Sequence, residues 1–302
     1  MKTTMLSLMH LCLLVLLMAC SKDKNGGGTG GGAQGTLYYA SFKGFMKLDL
    51  RSGQQQQLID IASMSHQERF DVSRDGSEIV AYEESLSSDQ VTFTIYTTGG
   101  QVAASFQVRQ YVNGVPRISP DKSKIAVIWQ PASTYPRKFM AVFTRSGQQV
   151  AGFEGVSDYA WLPDGRMVMT APGGFYLSNP QLTSASRIAD VSRFPDVPGQ
   201  LDVSADGASV LFTSNYHIWV MNPDGTGMRQ LTNSDVKEWY PAWSADGKKI
   251  FFTLDWSGNC KEIRVMDLPG QTVTIDPHTD AVAPRILSDG NRICSASRPM
   301  VR

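Results

Sequence analysis

The chain carries almost none of the signatures by which enzymes are recognised from sequence. It has no Gly-x-Ser-x-Gly elbow, no His-Glu-x-x-His, no Cys-x-x-Cys pair and no phosphate-binding loop, so the chemistries those motifs support are not indicated. Charge of one sign is missing. Lys and Arg number 28 and Asp and Glu 28, with no basic block, which argues against a nucleic-acid partner. Long helical periodicity is missing, and with it a bundle or an α/β fold. The Gly-His and Trp-Asp dipeptides of WD-repeat proteins are absent. Cysteine is scarce, at four in 302 residues. No apolar run is long enough to span a bilayer as a helix.

What apolar run there is lies at the N-terminus. Lys2 supplies a positive start, and LCLLVLLMA at 11–19 has the length of a signal h-region. It ends in Leu17-Met18-Ala19-Cys20, which resembles the lipobox of bacterial lipoproteins. The resemblance implies cleavage before Cys20 and its modification by acyl chains such as palmitate. Two or more chains hold a protein stably on a membrane, where one alone is marginal. SKDKNGGGTGGGAQG follows, at 21–35. Such a run buries no apolar surface and behaves as a flexible coil spanning roughly 20 Å. The expected organisation is a signal peptide at 1–19, a lipidated cysteine and tether at 20–35, and a globular domain at 36–302. The location expected is a bacterial envelope membrane, facing periplasm or cell surface. Cys12 leaves with the signal. Cys260 and Cys294 remain, close to adjacent repeats; a disulfide between them is open in an oxidising compartment, but two cysteines make no framework, and two buried or half-buried thiols are the leading expectation.

The globular part repeats one phrase: a short apolar strand, an Asp turn and a second apolar strand. Examples are FDVSRDGSEIVAYEE from 70, YAWLPDGRMVMTA from 159 and PAWSADGKKIFFTL from 241. The turn aspartates are Asp75, Asp121, Asp164, Asp206, Asp246 and Asp289, separated by 46, 43, 42, 40 and 43 residues. Asp bonds its own turn backbone, and Gly takes a positive φ at no steric cost. Asp121 is followed by Lys122 instead, which would be strained there. Two further strands follow each phrase, as in IWVMN and RQLT, so one period holds four strands, here named A to D. That is a propeller blade.

The ends suggest how the ring closes. LYYASFKGFMKLDLRSGQQQQLID, before the first phrase, reads as strands B, C and D without A. PRILSDGNRICSAS, from 284, reads as A and B. Five full blades and one shared blade make six. One strand is then left over, and two segments compete for the last B position. A seven-bladed ring with a degenerate blade is the alternative. The fold class is all-β, and a monomer is expected.

IWVMNPDGTGMRQLTN followed by YPAWSADGKKIFFTL resembles the repeats of TolB-type propellers, strongly over 199–268 and weakly elsewhere. The resemblance implies the fold; propellers host many functions, so it implies function poorly. TolB proteins have an extra N-terminal α/β domain, whereas the tether here leads straight into a strand.

Strand A lines the channel of a propeller. Four residues before each turn aspartate stand Asp71, Arg117, Ala160, Asp202, Ala242 and Arg285. The next column, Val72, Ile118, Trp161, Val203, Trp243 and Ile286, is wholly apolar and must pack between blades. Asp71, Arg117, Asp202 and Arg285 are therefore expected to form charged pairs along the channel. The loops leading into strand A put His66, Glu68, His278 and Asp280 at one rim, with Phe194, Trp239, Tyr240 and Tyr111. Two imidazoles and two carboxylates at one rim could bind a metal, through His66 and His278, or serve as acid and base, but solvated loop residues are the leading expectation, with no metal and no cofactor. His217 is expected to be a packing histidine. The leading expectation is a non-catalytic envelope lipoprotein that binds a protein or glycan through its mouth loops. The alternatives are a polysaccharide-acting enzyme similar to oligogalacturonate lyase, with a metal at the mouth, and a structural scaffold.

Overall fold

The computed structural model describes residues 32–41, 44–59, 69–84, 90–109, 112, 114–129, 138–256, 258, 260–295 and 297–302. Every named element is a strand, and all strand ladders are antiparallel. Among the described residues no helix is long and apolar enough to cross a membrane. The signal segment, Cys20 and most of the tether lie outside the described residues, as do His66, Glu68 and Tyr111.

The strands form six blades. The first holds β1 (Thr36–Ser41), β2 (Gly44–Asp49) and β3 (Gln55–Ile59), and β25 (Met300–Val301) supplies its innermost strand. The second runs from β4 (Phe70–Val72) through β5 (Glu78–Glu84) and β6 (Gln90–Thr97) to β7 (Val102–Arg109). The third runs from β8 (Arg117–Ile118) through β9 (Lys124–Trp129) and β10 (Phe139–Thr144) to β11 (Gln149–Glu154). The fourth comprises β12 (Asp158–Trp161), β13 (Met167–Ala171), β14 (Gly174–Ser178) and β15 (Ala185–Ala189). The fifth comprises β16 (Gly199–Val203), β17 (Val210–Ser214), β18 (His217–Met221) and β19 (Arg229–Gln230). The sixth is β20 (Lys237–Trp243), β21 (Lys249–Asp255) and β22 (Lys261–Asp267).

The turns use one device repeatedly. Ser73, Ser119, Ser204 and Ser244 each donate to the aspartate two residues on at 2.6 Å, and each accepts the backbone N–H five residues on at 2.9 Å. Lys122 takes a φ of 59°, and its Nζ reaches Asp75 of the neighbouring blade at 2.7 Å.

Burial explains why the ring is closed. Each blade buries both faces, and six apolar clusters fill the six junctions. The cluster between the last and first blades joins Phe251, Ile263 and Val265 to Leu37, Tyr39 and Val301. The next joins Tyr38 and Phe45 to Phe70 and Ile79. Wrapping the sheets into a ring leaves no blade face without a neighbour.

The sixth Asp phrase departs from expectation. Residues 284–294 are not strands A and B of a shared blade. They lie along the outer side of β22, as the fourth strand of the sixth blade. Ile286 N donates to Ile263 O at 2.9 Å, and Ile263 N to Ile293 O at 3.0 Å. The turn between them, with β23 (Leu287–Ser288) and β24 (Asn291–Arg292) on either side, is a small excursion. Strand A of the closing blade is β25, and β1 alone occupies the B position. This accounts for the strand left over. Asp289 differs from the other turn aspartates in taking a positive φ, 51°, followed by Gly290 at 75°, the pattern of a two-residue hairpin turn.

Cys260 and Cys294 correct a second expectation. They form a disulfide, with Cα atoms 5.1 Å apart. Glu262 and Cys294 bridge in register, which brings Cys260 alongside. The bond ties the outer strand to the sixth blade and fits an oxidising compartment.

Candidate functional site at the channel mouth

The innermost strands present their free edges to the channel, and aspartates occupy those edges. Asp71 Oδ2 accepts from Ile118 N at 2.9 Å, Asp158 Oδ2 from Leu201 N at 2.8 Å, and Asp202 Oδ2 from Trp243 N at 2.8 Å. Each carboxylate stitches one blade to the next.

Cations complete the network. Arg298 lies two residues before β25 and donates to Asp71 at 3.0 Å and to Asp202 at 2.9 Å. Burial works against its charge, but Asp202, Asp71 and Asp158 outweigh this and hold its pKa above the ordinary arginine value. Arg117 donates to Leu201 O at 2.7 Å and to Asp158 at 3.4 Å, while its buried Nε has no partner. Arg285 was expected in this column and is not there. It sits on the outer strand of the sixth blade, bound to Glu262 at 3.2 Å and Asp280 at 2.5 Å. Met300 fills its place, because β25 rather than 284–286 is strand A.

Two further arginines close the far end of the channel. Arg74 crosses from the second blade to Ser204 O and Ala205 O at 3.1 and 3.0 Å, and to Trp161 O at 3.3 Å. Arg302 binds Ser73 O and Val72 O, each at 3.1 Å. Burial lowers the pKa of both.

At the other end, where strands A begin, a cavity of about 260 Å³ opens. Val115, Asp158, Gln200, Tyr240 and Arg298 line it, each two residues before a column position and each from a different blade. Gln200 and Tyr240 stand out. Both have left-handed backbones, φ 57° and 54°, at irregularities in the β16–β17 and β20–β21 ladders. Gln200 Oε1 accepts from Tyr240 N at 2.7 Å and from Thr213 Oγ1 at 3.1 Å. Bulges re-aim side chains, and non-Gly residues in this region cost energy that concentrates at working sites. Asn215 and Tyr216, in the adjacent hairpin turn, have φ of 50° and 64°.

A shelf of aromatic rings leads to this cavity. Tyr216 and Trp239 meet edge to face with centroids 4.9 Å apart, and Trp239 lies 6.4 Å from Tyr240. Lys237 Nζ sits 4.7 Å over Tyr216, and Lys261 Nζ sits 5.2 Å over Trp239 and 5.7 Å over Tyr240. Beneath the shelf Glu238 is fully buried, held by the Thr232 hydroxyl and by His217 Nδ1 at 3.4 Å. His217 thus packs against a carboxylate as well as apolar neighbours.

The remaining rim residues separate. Phe194, partly buried, packs edge-on against Phe212 and Trp219, over the core between the fourth and fifth blades. His278 sits against Trp256 with centroids 4.9 Å apart. Asp280 is bound by Arg264 at 3.1 Å and by Arg285, so its carboxylate is already neutralised. Among the described residues no three His, Cys, Asp or Glu side chains are grouped to hold a metal. Arg298, Asp158 and Arg74 were not anticipated. Alignment of Ser297-Arg298-Pro299-Met300 with the other strand-A phrases would have revealed Arg298.

No protein-family profile matches the chain. Over 88 residues it is 31% identical to dipeptidyl-peptidase 5 of Porphyromonas gingivalis, a match covering 28% of this chain and only 13% of that protein. The TolB structure from Acinetobacter baumannii superposes with a TM-score of 0.64 at 16% identity, covering 91% of this chain and 68% of TolB. An oligogalacturonate lyase in complex with manganese gives a TM-score of 0.51 at 13% identity, covering 74% of this chain and 68% of the lyase. With its six blades and its closing strand from the C-terminal end, the chain has the TolB-type β-propeller fold.

Proposed function

We propose that this protein is an envelope lipoprotein, held on a membrane through Cys20, whose propeller binds a partner at the channel mouth without catalysing a reaction. The observation that carries it is the pair of left-handed residues, Gln200 and Tyr240, aimed into a cavity from two adjacent blades. Arg74 and Arg302 lie across the channel's other end, each bonded to backbone carbonyls, and the larger cavity is at the mouth. The disulfide, the lipobox and the likeness to TolB support an envelope location. The test is crosslinked capture from envelope extracts with the lipidated protein. Wild type should retain a partner and Trp239→Ala/Tyr240→Ala should lose it. Capture unchanged in that variant would refute the site. Cys20→Ala should release the protein from the membrane fraction.

A polysaccharide-acting enzyme is the second reading, favoured by the fold likeness to the lyase. Its metal would need His278, now packed on Trp256, and His66. Titration of the full chain with Mn²⁺ tests it: a thermal shift that His66→Ala/His278→Ala abolishes would support it.

A further inference from the structure

We infer that the mouth binds an acidic oligosaccharide, along the Tyr216–Trp239–Tyr240 shelf and into the cavity beside Arg117. This rests on the mouth being the binding site and names its ligand.

Four donor groups there each hold a donor without an acceptor among the described residues. Lys237 and Lys261 lie over aromatic faces, and neither forms an ion pair among the described residues. Asp255 is the Cα partner of both, so the row reads plus, minus, plus. Arg117 is 6% exposed and lines the cavity, with its Nε unpartnered. The indole Nε1 of Trp239 is also shielded and without an acceptor. The two lysines over the rings are the cations that an anionic ligand on the shelf would meet.

The rings and the used strand edges indicate a sugar chain rather than a peptide. A peptide that added to the innermost strands would need their free N–H groups. Those of Ile118, Leu201 and Trp243 are already bound to Asp71, Asp158 and Asp202, so these three strands offer no ladder there. The shelf instead presents amphipathic rings, with Tyr216 42% exposed. The C–H face of a pyranose packs on such a ring, and the lysines beside it meet carboxylates at the sugar's edge. Hydroxyl groups find Gln200 and Ser157 at the cavity wall.

The test is calorimetric titration of the full chain with a mannuronate hexamer, a mannose hexamer of the same linkage, and hexaglutamate. The acidic sugar should bind at least about tenfold tighter than the other two, and the affinity should fall with salt. Lys237→Gln/Lys261→Gln should raise its Kd at least about tenfold, the loss of about 1.4 kcal/mol, with an unchanged melting temperature. Trp239→Phe, which keeps the ring but removes the N–H, should weaken binding less. Failure of the acidic sugar to bind overturns the inference, as does equal binding of the neutral hexamer or of hexaglutamate. If an envelope protein is captured through Trp239 and Tyr240 while no sugar binds, the binding site stands and the ligand assignment falls.

Discussion

Arg298 and Asp71 lie 227 residues apart in the chain and meet at 3.0 Å in the channel. The same guanidinium binds Asp202 at 2.9 Å, so one side chain from the closing blade joins the second blade to the fifth. Removing one partner of a buried network leaves uncompensated charge. Arg298→Met should cost about 3–5 kcal/mol, read as a lower urea midpoint. Adding Asp71→Asn and Asp202→Asn should recover much of that loss. A lone Arg298→Met that unfolds like wild type would show that the network contributes nothing to stability.

The Cys260–Cys294 bond closes a loop with a separation of 34 residues. Chain-entropy reasoning gives it about 3–4 kcal/mol. Cys260→Ser/Cys294→Ser should melt at lower temperature than wild type, and dithiothreitol should lower the wild type to the variant's level but leave the variant unmoved.

Acid should weaken the ring through its turns. Burial alone would raise the Asp121 carboxyl, but hydrogen bonds from Ser119 and Ser123 outweigh it and bring it down to about 2. Asp206 and Asp246 are lowered first by the hydroxyls of Ser204 and Ser244. Each is more acidic folded than unfolded. Their contribution is therefore present above the unfolded carboxyl range, near pH 4, and is lost as pH falls toward 2. Urea midpoints measured from pH 6 to pH 2 should fall steeply below pH 4. Ser119→Ala/Ser204→Ala/Ser244→Ala should flatten that dependence and lower stability at pH 6.

Gly225 has a φ of 83°, and a Cβ there would meet Ile188 O at 2.5 Å. The turn it occupies packs the fifth blade against the fourth. Gly225→Ala should destabilise the protein by about 2 kcal/mol or more, seen in the urea midpoint. An unchanged midpoint would mean that the turn relaxes freely.

The blades were legible because their turns are chemically local. An aspartate with a serine two residues before it, a glycine after it, or both, specifies the hairpin wherever the rest of the chain goes. Period and apolar column then follow, and five strand-A positions fall where the column puts them. The closing strand was not legible. Met300–Val301 has two residues and no Asp-turn phrase of its own, so it offers neither period nor pattern. The Ser-Asp-Gly at 288–290 imitates the turn phrase while serving a different hairpin. In the site, Trp239 and Tyr240 could be picked out by residue type. The left-handed backbone of Gln200 and Tyr240 could not, since no glycine marks it. Arg298 was hidden with the strand it precedes. Cys260 and Cys294 became a pair only once 284–294 was placed against β22.

The closing strand also sets an order of events. The second to fifth blades are each contiguous in sequence and can take shape as soon as their own residues are available. The first cannot, because β1 must wait for residues 300–301 to pair with it. Arg298 and Arg302, which hold the channel, arrive with the same few residues. A chain emerging N-terminus first therefore remains an open arc, with blade faces exposed, until residues 298–302 are delivered. Its most vulnerable interval is the one before these residues pair with the first two blades.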